Sequence, residues 1–250
     1  IRHGGFIPWD DDIDVFMKRE DYEKLPVLWN KYADIKHYAY CRTTEVHNYH
    51  NIGASIRDNY TTFINEHSVN DDINHGLQID ILPLDVCPDS KIARFEQIVF
   101  AMLYSLYNAQ RLPDNQGDFL RIMSKIMLSL VPSKKIRYLI WSFAQRRMIR
   151  WTGKNTNYIT EICSGSRYIF NQYPKEYFAE PVEKDFEDIK VPLPTNYDGY
   201  LQMAFGEYMK MPPKEKQVAK HNTVLVDLDN SYTIYKGRYY LQEEKCDSNG

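Results

Sequence analysis

Arg2-His3-Gly4-Gly5-Phe6-Ile7-Pro8-Trp9-Asp10-Asp11-Asp12-Ile13-Asp14-Val15 places four carboxylates within five positions, directly after a glycine pair and an Ile-Pro-Trp corner. Like charges this close raise one another's cost of ionisation, so a folded site that holds them needs a countercharge. The usual one is a hard divalent cation bound by oxygen ligands. From Asp12 to Val15 the acids alternate with apolar residues. A strand over residues 10–16 would send successive side chains to opposite faces. Asp12 and Asp14 would then point one way as a metal platform, and Ile13 and Val15 the other way into a core. The competing reading is a solvated acidic turn. Phe6, Ile7 and Trp9 argue against it, because such a turn has no need of them.

Leu77-Gln78-Ile79-Asp80-Ile81-Leu82-Pro83-Leu84-Asp85 reads as a second, short buried strand ended by Pro83. A charge inside that apolar run is costly unless it is paired or bound to metal. Beside Asp12 and Asp14, Asp80 completes a three-carboxylate set for one or two Mg²⁺ ions, with Mn²⁺ as a substitute. The alternative is a buried Asp bonded to backbone amides or an arginine. Asp85, after the Pro turn, reads as a cap for the next helix or as support for the metal ligands.

These stretches resemble the LicD family of phosphotransferases, whose relatives include fukutin and the fukutin-related protein. Residues 2–14 match the family pattern throughout. Ser55-Ile56-Arg57-Asp58-Asn59 with Thr61-Thr62 resembles its basic strand and turn. Ile79 to Asp85 resembles its acidic strand, with Leu82 in place of Phe. Phe205-Gly206-Glu207-Tyr208-Met209-Lys210-Met211-Pro212-Pro213, with His221 further on, resembles its C-terminal signature. The resemblance implies an α/β (α+β) nucleotidyltransferase-like fold with a mixed-sheet core. It also implies an activity: transfer of phosphocholine or a similar phospho-alcohol from a CDP-linked donor to a hydroxyl of a cell-surface glycan, such as lipopolysaccharide, teichoic acid or capsule. The family's Gly-Thr-Leu-Leu-Gly-Ala segment is not found before Arg2, and relative to the pattern the chain reads as N-terminally truncated.

The 250 residues suffice for one domain spanning 1–250 with a helical insertion at about 89–152. A net charge of −3 gives no support for nucleic-acid binding. Cys41, Cys87, Cys163 and Cys246 form no C-x-x-C pair and read as reduced thiols of a cytoplasmic protein. No signal peptide is visible, and no apolar run reaches the roughly 18–20 residues of a membrane span.

Helices are expected over Asp21 to Tyr32 (interrupted by Pro26), Lys91 to Arg111, Phe119 to Leu130, Lys135 to Trp151 and Tyr197 to Phe205. Short strands are expected at 37–42, 52–57 and 61–65. In the long helix Ile92, Phe95, Val99, Met102 and Leu106 recur at helical spacing and argue one buried face. Ser133 is a candidate N-cap. Residues 134–151 mix Lys134, Lys135, Arg137, Arg146, Arg147 and Arg150 with apolar side chains. They read either as a helix with a basic solvated side or as a peripheral contact with the inner face of a membrane carrying lipid-linked acceptors.

Phosphoryl transfer is mainly positioning and charge neutralisation. Asp12, Asp14 and Asp80 are the expected catalytic metal ligands. Of Asp10 and Asp11, one would orient water or acceptor and the other cap the turn. Arg57 is the expected phosphate clamp, unless Asp58 takes it as an ion pair. Arg2 and His3 are placed to contact phosphate, or else lie in a frayed terminus. Trp9 either stacks on cytosine or packs in the core. His47 and His50 have a metal-compatible spacing within what reads as an exposed loop. The resemblance alone gives Lys220 and His221 a role at the site, while Gly206 and Pro212-Pro213 shape a turn. Two other functions stay open: a nucleotidyltransferase that uses a nucleoside triphosphate and releases pyrophosphate, and a non-catalytic glycan- or nucleotide-binding module.

Overall fold

The computed structural model describes residues 1–110, 118–165, 167–219 and 222–242. In chain order the elements are β1 (Asp14–Lys18), α1 (Arg19–Tyr32), β2 (Tyr38–Arg42), β3 (Ala54–Asp58), β4 (Thr62–Asn65), β5 (Gln78–Cys87), α2 (Lys91–Ala109), α3 (Asp118–Leu130), α4 (Lys134–Met148), β6 (Tyr158–Thr160), β7 (Tyr173–Pro174), β8 (Pro181–Phe186), β9 (Ile189–Pro194), α5 (Tyr197–Phe205) and β10 (Thr223–Asp227). The fold is mixed α+β. The main sheet runs β2-β3-β5-β6-β7, and β1 adds to β5 in parallel. β4 pairs with β10, and β8 with β9, as antiparallel ribbons.

β5 is the spine. It pairs with β3 over Gln78–Ile81, with β6 over Asp85–Cys87, and with β1 over Asp80–Leu84. Pro83 does not end it. The Asp80 N–H donates to the Ile13 carbonyl, so even-numbered positions of β5 aim their backbone groups at β1. Pro83 is odd and aims at the other edge, in the gap between the last β3 pair at Ile81 and the first β6 pair at Asp85. Its missing N–H costs no ladder bond there.

The first acidic strand also differs from expectation. β1 begins at Asp14, so Asp12 lies in irregular chain ahead of it. Ile13 and Val15 are 40 % and 41 % exposed, and no core covers them. The reason is where α1 lands. Its Tyr22 packs on Ala54 and Ile81, with Met17 alongside, and this cover stops short of residues 13–15.

Asp85 caps no helix. It is fully buried in β5 and accepts Arg19 Nε and Nη2 at 2.8 Å each, which ties the start of α1 to the sheet. Ser90 caps α2 instead, accepting from the Ala93 N–H. Ser133 caps α4 as expected.

α2 buries the face opposite to the expected one. Of the expected stripe Ile92, Phe95, Val99 and Met102 are exposed and Leu106 packs against the core, while Arg94, Gln97, Ala101, Tyr104, Tyr107 and Asn108 are buried. Gln97 and Arg94 serve as donors to backbone carbonyls of neighbouring segments. Gln97 Nε2 reaches Val86 O (2.9 Å) and Met148 O (3.0 Å), and Arg94 Nη2 reaches Ile169 O (2.6 Å) and Asn171 O (3.1 Å). Buried carbonyls left unpaired would cost about 1–3 kcal/mol each. Trp141, Ala144 and Met148 of α4 close a core with Ala101, Tyr104 and Ile162.

Candidate active site

The first motif is a docking segment before it is a chemical one. The Asp10 N–H donates to Ile7 O at 2.9 Å, which closes the Ile-Pro-Trp corner. Gly4 has φ +69°, a left-handed conformation that favours glycine. At Gly5 a Cβ would sit 2.0 Å from Glu187 Oε1, because the β8–β9 turn closes on the motif there. Glu187 accepts the Phe6 N–H at 2.9 Å, and Phe6 meets Phe186 edge-on at 4.8 Å. Arg2 Nη1 donates to the Tyr208 (2.8 Å) and Lys210 (3.1 Å) carbonyls. Arg2 is therefore a strut that brings the C-terminal 205–213 stretch against the first motif. His3 stands edge-on to half-buried Trp9 at 5.5 Å, so both rings pack on one another.

Beyond this corner the carboxylates of Asp10, Asp11 and Asp12 converge, with ligand oxygens within 4.8 Å of one another. Among the described residues this is the cluster of three or more metal-type ligands; His47 and His50 belong to none. Asp14 then faces Asp80 across the β1–β5 pair, and Asp80 faces Ser55 of β3. Register neighbours share a face, so Asp14, Asp80 and Ser55 form a polar row across three strands. Asp80 is half-buried and accepts from Gln78 Nε2 at 3.0 Å and from Asn51 Nδ2 at 3.4 Å. An all-oxygen donor set next to this row fits Mg²⁺ or Mn²⁺ and not the thiophilic metals.

Arg57 lies two residues from Ser55 on the same face of β3, and alternation sends Asp58 to the other side, where it meets His37 Nε2 at 3.2 Å. The Arg57–Asp58 ion pair is therefore not formed. Arg57 is 7 % exposed and donates to Ser55 Oγ (3.0 Å) and to the Asn74 carbonyl. Burial pulls its pKa below the usual guanidinium value, while Asp80 is among the groups that favour its charged form. Arg57 and Asp80 line one polar cavity of about 220 Å³, together with Asn51, Gln78, His50 and His67.

Asn51, Gln78 and Asn65 also line the cavity and were not legible as site residues in the sequence. Amides in loops and strands carry no spacing signal, and only the β4–β10 ribbon and the 49–51 loop bring them over the sheet. His50 has φ 55°, and its Nδ1 lies 2.7 Å from Ala109 O, while His47 packs on Tyr49 at 4.6 Å. Lys220 and His221 lie outside the described residues.

Carboxylates on adjacent strands and an acid-rich turn thus stand near a cavity that Asp80 shares with a buried arginine. Residues 1–84 match the family described as LicD/FKTN/FKRP, nucleotidyltransferase domain. Over 229 residues it is 27 % identical to the lipopolysaccharide cholinephosphotransferase LicD of Haemophilus influenzae, an alignment covering 88 % of this chain and 82 % of that protein. No solved structure matches the chain.

Proposed function

We propose that this protein is a LicD-like phosphotransferase that moves phosphocholine, or a similar phospho-alcohol, from a CDP-linked donor to a hydroxyl of a cell-surface glycan. The observation that carries the reading is the placement of Asp80, which belongs both to the Asp14 row and to the Arg57 cavity. A cavity of about 220 Å³ is smaller than the roughly 300–1,000 Å³ that encloses a drug-sized ligand. It suits the phosphate-bearing part of a donor, with the nucleoside outside. The similarity to a lipopolysaccharide cholinephosphotransferase over most of both chains supports the substrate class. The three described cysteines are free and buried, in keeping with a cytoplasmic setting.

In this reading Asp12, Asp14 and Asp80 hold Mg²⁺, and Asp10 and Asp11 complete the anionic wall. The metal, when bound, neutralises phosphate charge in the transition state. Arg57 holds a phosphate oxygen through its guanidinium. The acceptor oxygen forms a bond to the phosphorus of the phospho-alcohol, the bond from that phosphorus to the bridging oxygen breaks, and CMP departs. The acceptor proton passes to a carboxylate of the cluster.

The test is calorimetric titration of CDP-choline with and without Mg²⁺, followed by product analysis with a glycan acceptor. Metal-dependent binding and release of CMP are expected, and Asp80→Asn should lower turnover by about 10²-fold or more with the fold intact. Full activity of that variant would remove Asp80 from the site. Pyrophosphate release from a triphosphate would instead establish the nucleotidyltransferase reading, which the family's domain description favours.

A further inference from the structure

The helical block between β5 and β6 turns an apolar surface outward. On α2, Ile92 and Phe95 are 84 % and 69 % exposed, and Met102 follows two turns on. On α4, Ile136, Leu139 and Phe143 are each about half exposed. The two stripes lie side by side. Phe100 meets Phe143 edge-on at 5.7 Å, and Glu96 of α2 is bridged by Arg147 of α4 and by Arg150 just past its end. The opposite sides of both helices are already committed to the core. Contiguous exposed apolar faces of this kind mark interaction surfaces.

Charge selects the occupant. From Phe119 to Trp151 the sequence has eight Lys and Arg and no Asp or Glu, inside a chain of net charge −3. Lys134, Lys135 and Arg146 stand exposed at the two ends of the α4 stripe. On α3 the same pairing recurs, with Ile122, Ile126 and Leu130 exposed beside Arg121 and Lys125. A second copy of the same face would bring cation against cation. A bilayer surface offers acyl chains to the apolar stripe and anionic headgroups to its cationic rim. No helix among the described residues is long and apolar enough to cross a membrane, so contact would be in the plane of the interface.

We propose that the outward face of α2 and α4 docks this protein on an anionic lipid bilayer. The inference stands apart from the transfer reaction, because binding is read without donor or acceptor. The chain is mixed with vesicles rich in phosphatidylglycerol and, separately, with vesicles of phosphatidylcholine alone, and the bound fraction is measured by co-sedimentation. Binding to the anionic vesicles, weakened by high salt, is expected. Lys134→Ala and Lys135→Ala should each weaken it by about fivefold. Phe95→Asp with Phe143→Asp should weaken it about tenfold or more, while Ile189→Asp, exposed on β9, leaves it unchanged. All five positions are exposed, so unaltered thermal melting confirms that the variants fold. Absent or equal binding to the two vesicle types overturns the proposal. So does a dimer in sedimentation velocity that Phe143→Asp dissociates, which would assign the face to a second copy.

Discussion

Arg57 shows how far a single residue could be read. Its place on a strand of alternating residues predicted a side chain aimed at one face, and β3 delivers it to the face that carries Asp80. Which acid it would meet was a matter of alternation: Asp58, one position away, necessarily points to the other side. A buried guanidinium whose described donors go to a hydroxyl and a carbonyl keeps charge available for a phosphate. Arg57→Lys should weaken donor binding about tenfold, because a point charge replaces a planar fork. Calorimetry with the CDP-linked donor reads this directly, and an unchanged affinity would reduce Arg57 to a prop for the 74–76 turn. The paired glycines belong to this scale too. Gly4 is needed for its backbone angle and Gly5 for the approach of Glu187, a contact 182 residues along the chain that no local pattern announces.

Elements were legible in existence and less so in orientation. α1, β2, β3, β4 and α4 fall within a few residues of their expected limits, since period and caps are local properties. α2 was placed correctly and faced wrongly. Apolar spacing finds the stripe that would bury in isolation, yet carbonyls of β5, of the end of α4 and of the chain before β7 needed donors that Gln97 and Arg94 supply. β5 was cut short at Pro83 because a proline harms a strand only where its N–H has a partner waiting. The Arg19–Asp85 pair was hidden for the same kind of reason, its members lying 66 residues apart. Asp85→Ala would leave Arg19 buried without its carboxylate, at a cost of about 3–5 kcal/mol. A urea titration should show the midpoint fall accordingly. A shift near zero would mean that Glu23, 3.1 Å from Arg19, suffices as partner.

At the scale of the whole molecule, the side of the sheet beyond β6 is gathered on one carboxyl. Glu161 is 1 % exposed and accepts from Tyr173 Oη and, at 3.3 Å, from Tyr200 Oη of α5. Burial raises its pKa above the usual 4.5, against the pull of the two tyrosines. The folded chain therefore holds a proton that the unfolded chain releases. Stability should decline as pH rises from about 4.5 through the folded pKa, by the linkage between proton uptake and folding. Urea midpoints across this range should show the slope in the parent chain and a flatter profile in Glu161→Gln. The same slope in both would place the titration elsewhere.

By itself the sequence determined the acidic motifs, most of the elements, the mixed α+β class and the family resemblance, all of which rest on residues near one another in the chain. Tertiary structure alone decided which carboxylates converge, that Ile13 and Val15 stay uncovered, that Asp85 is a structural ion-pair partner and that α2 shows its apolar stripe to the outside. These depend on which distant groups require a partner, and burial assigns partners only when the whole chain has closed around them.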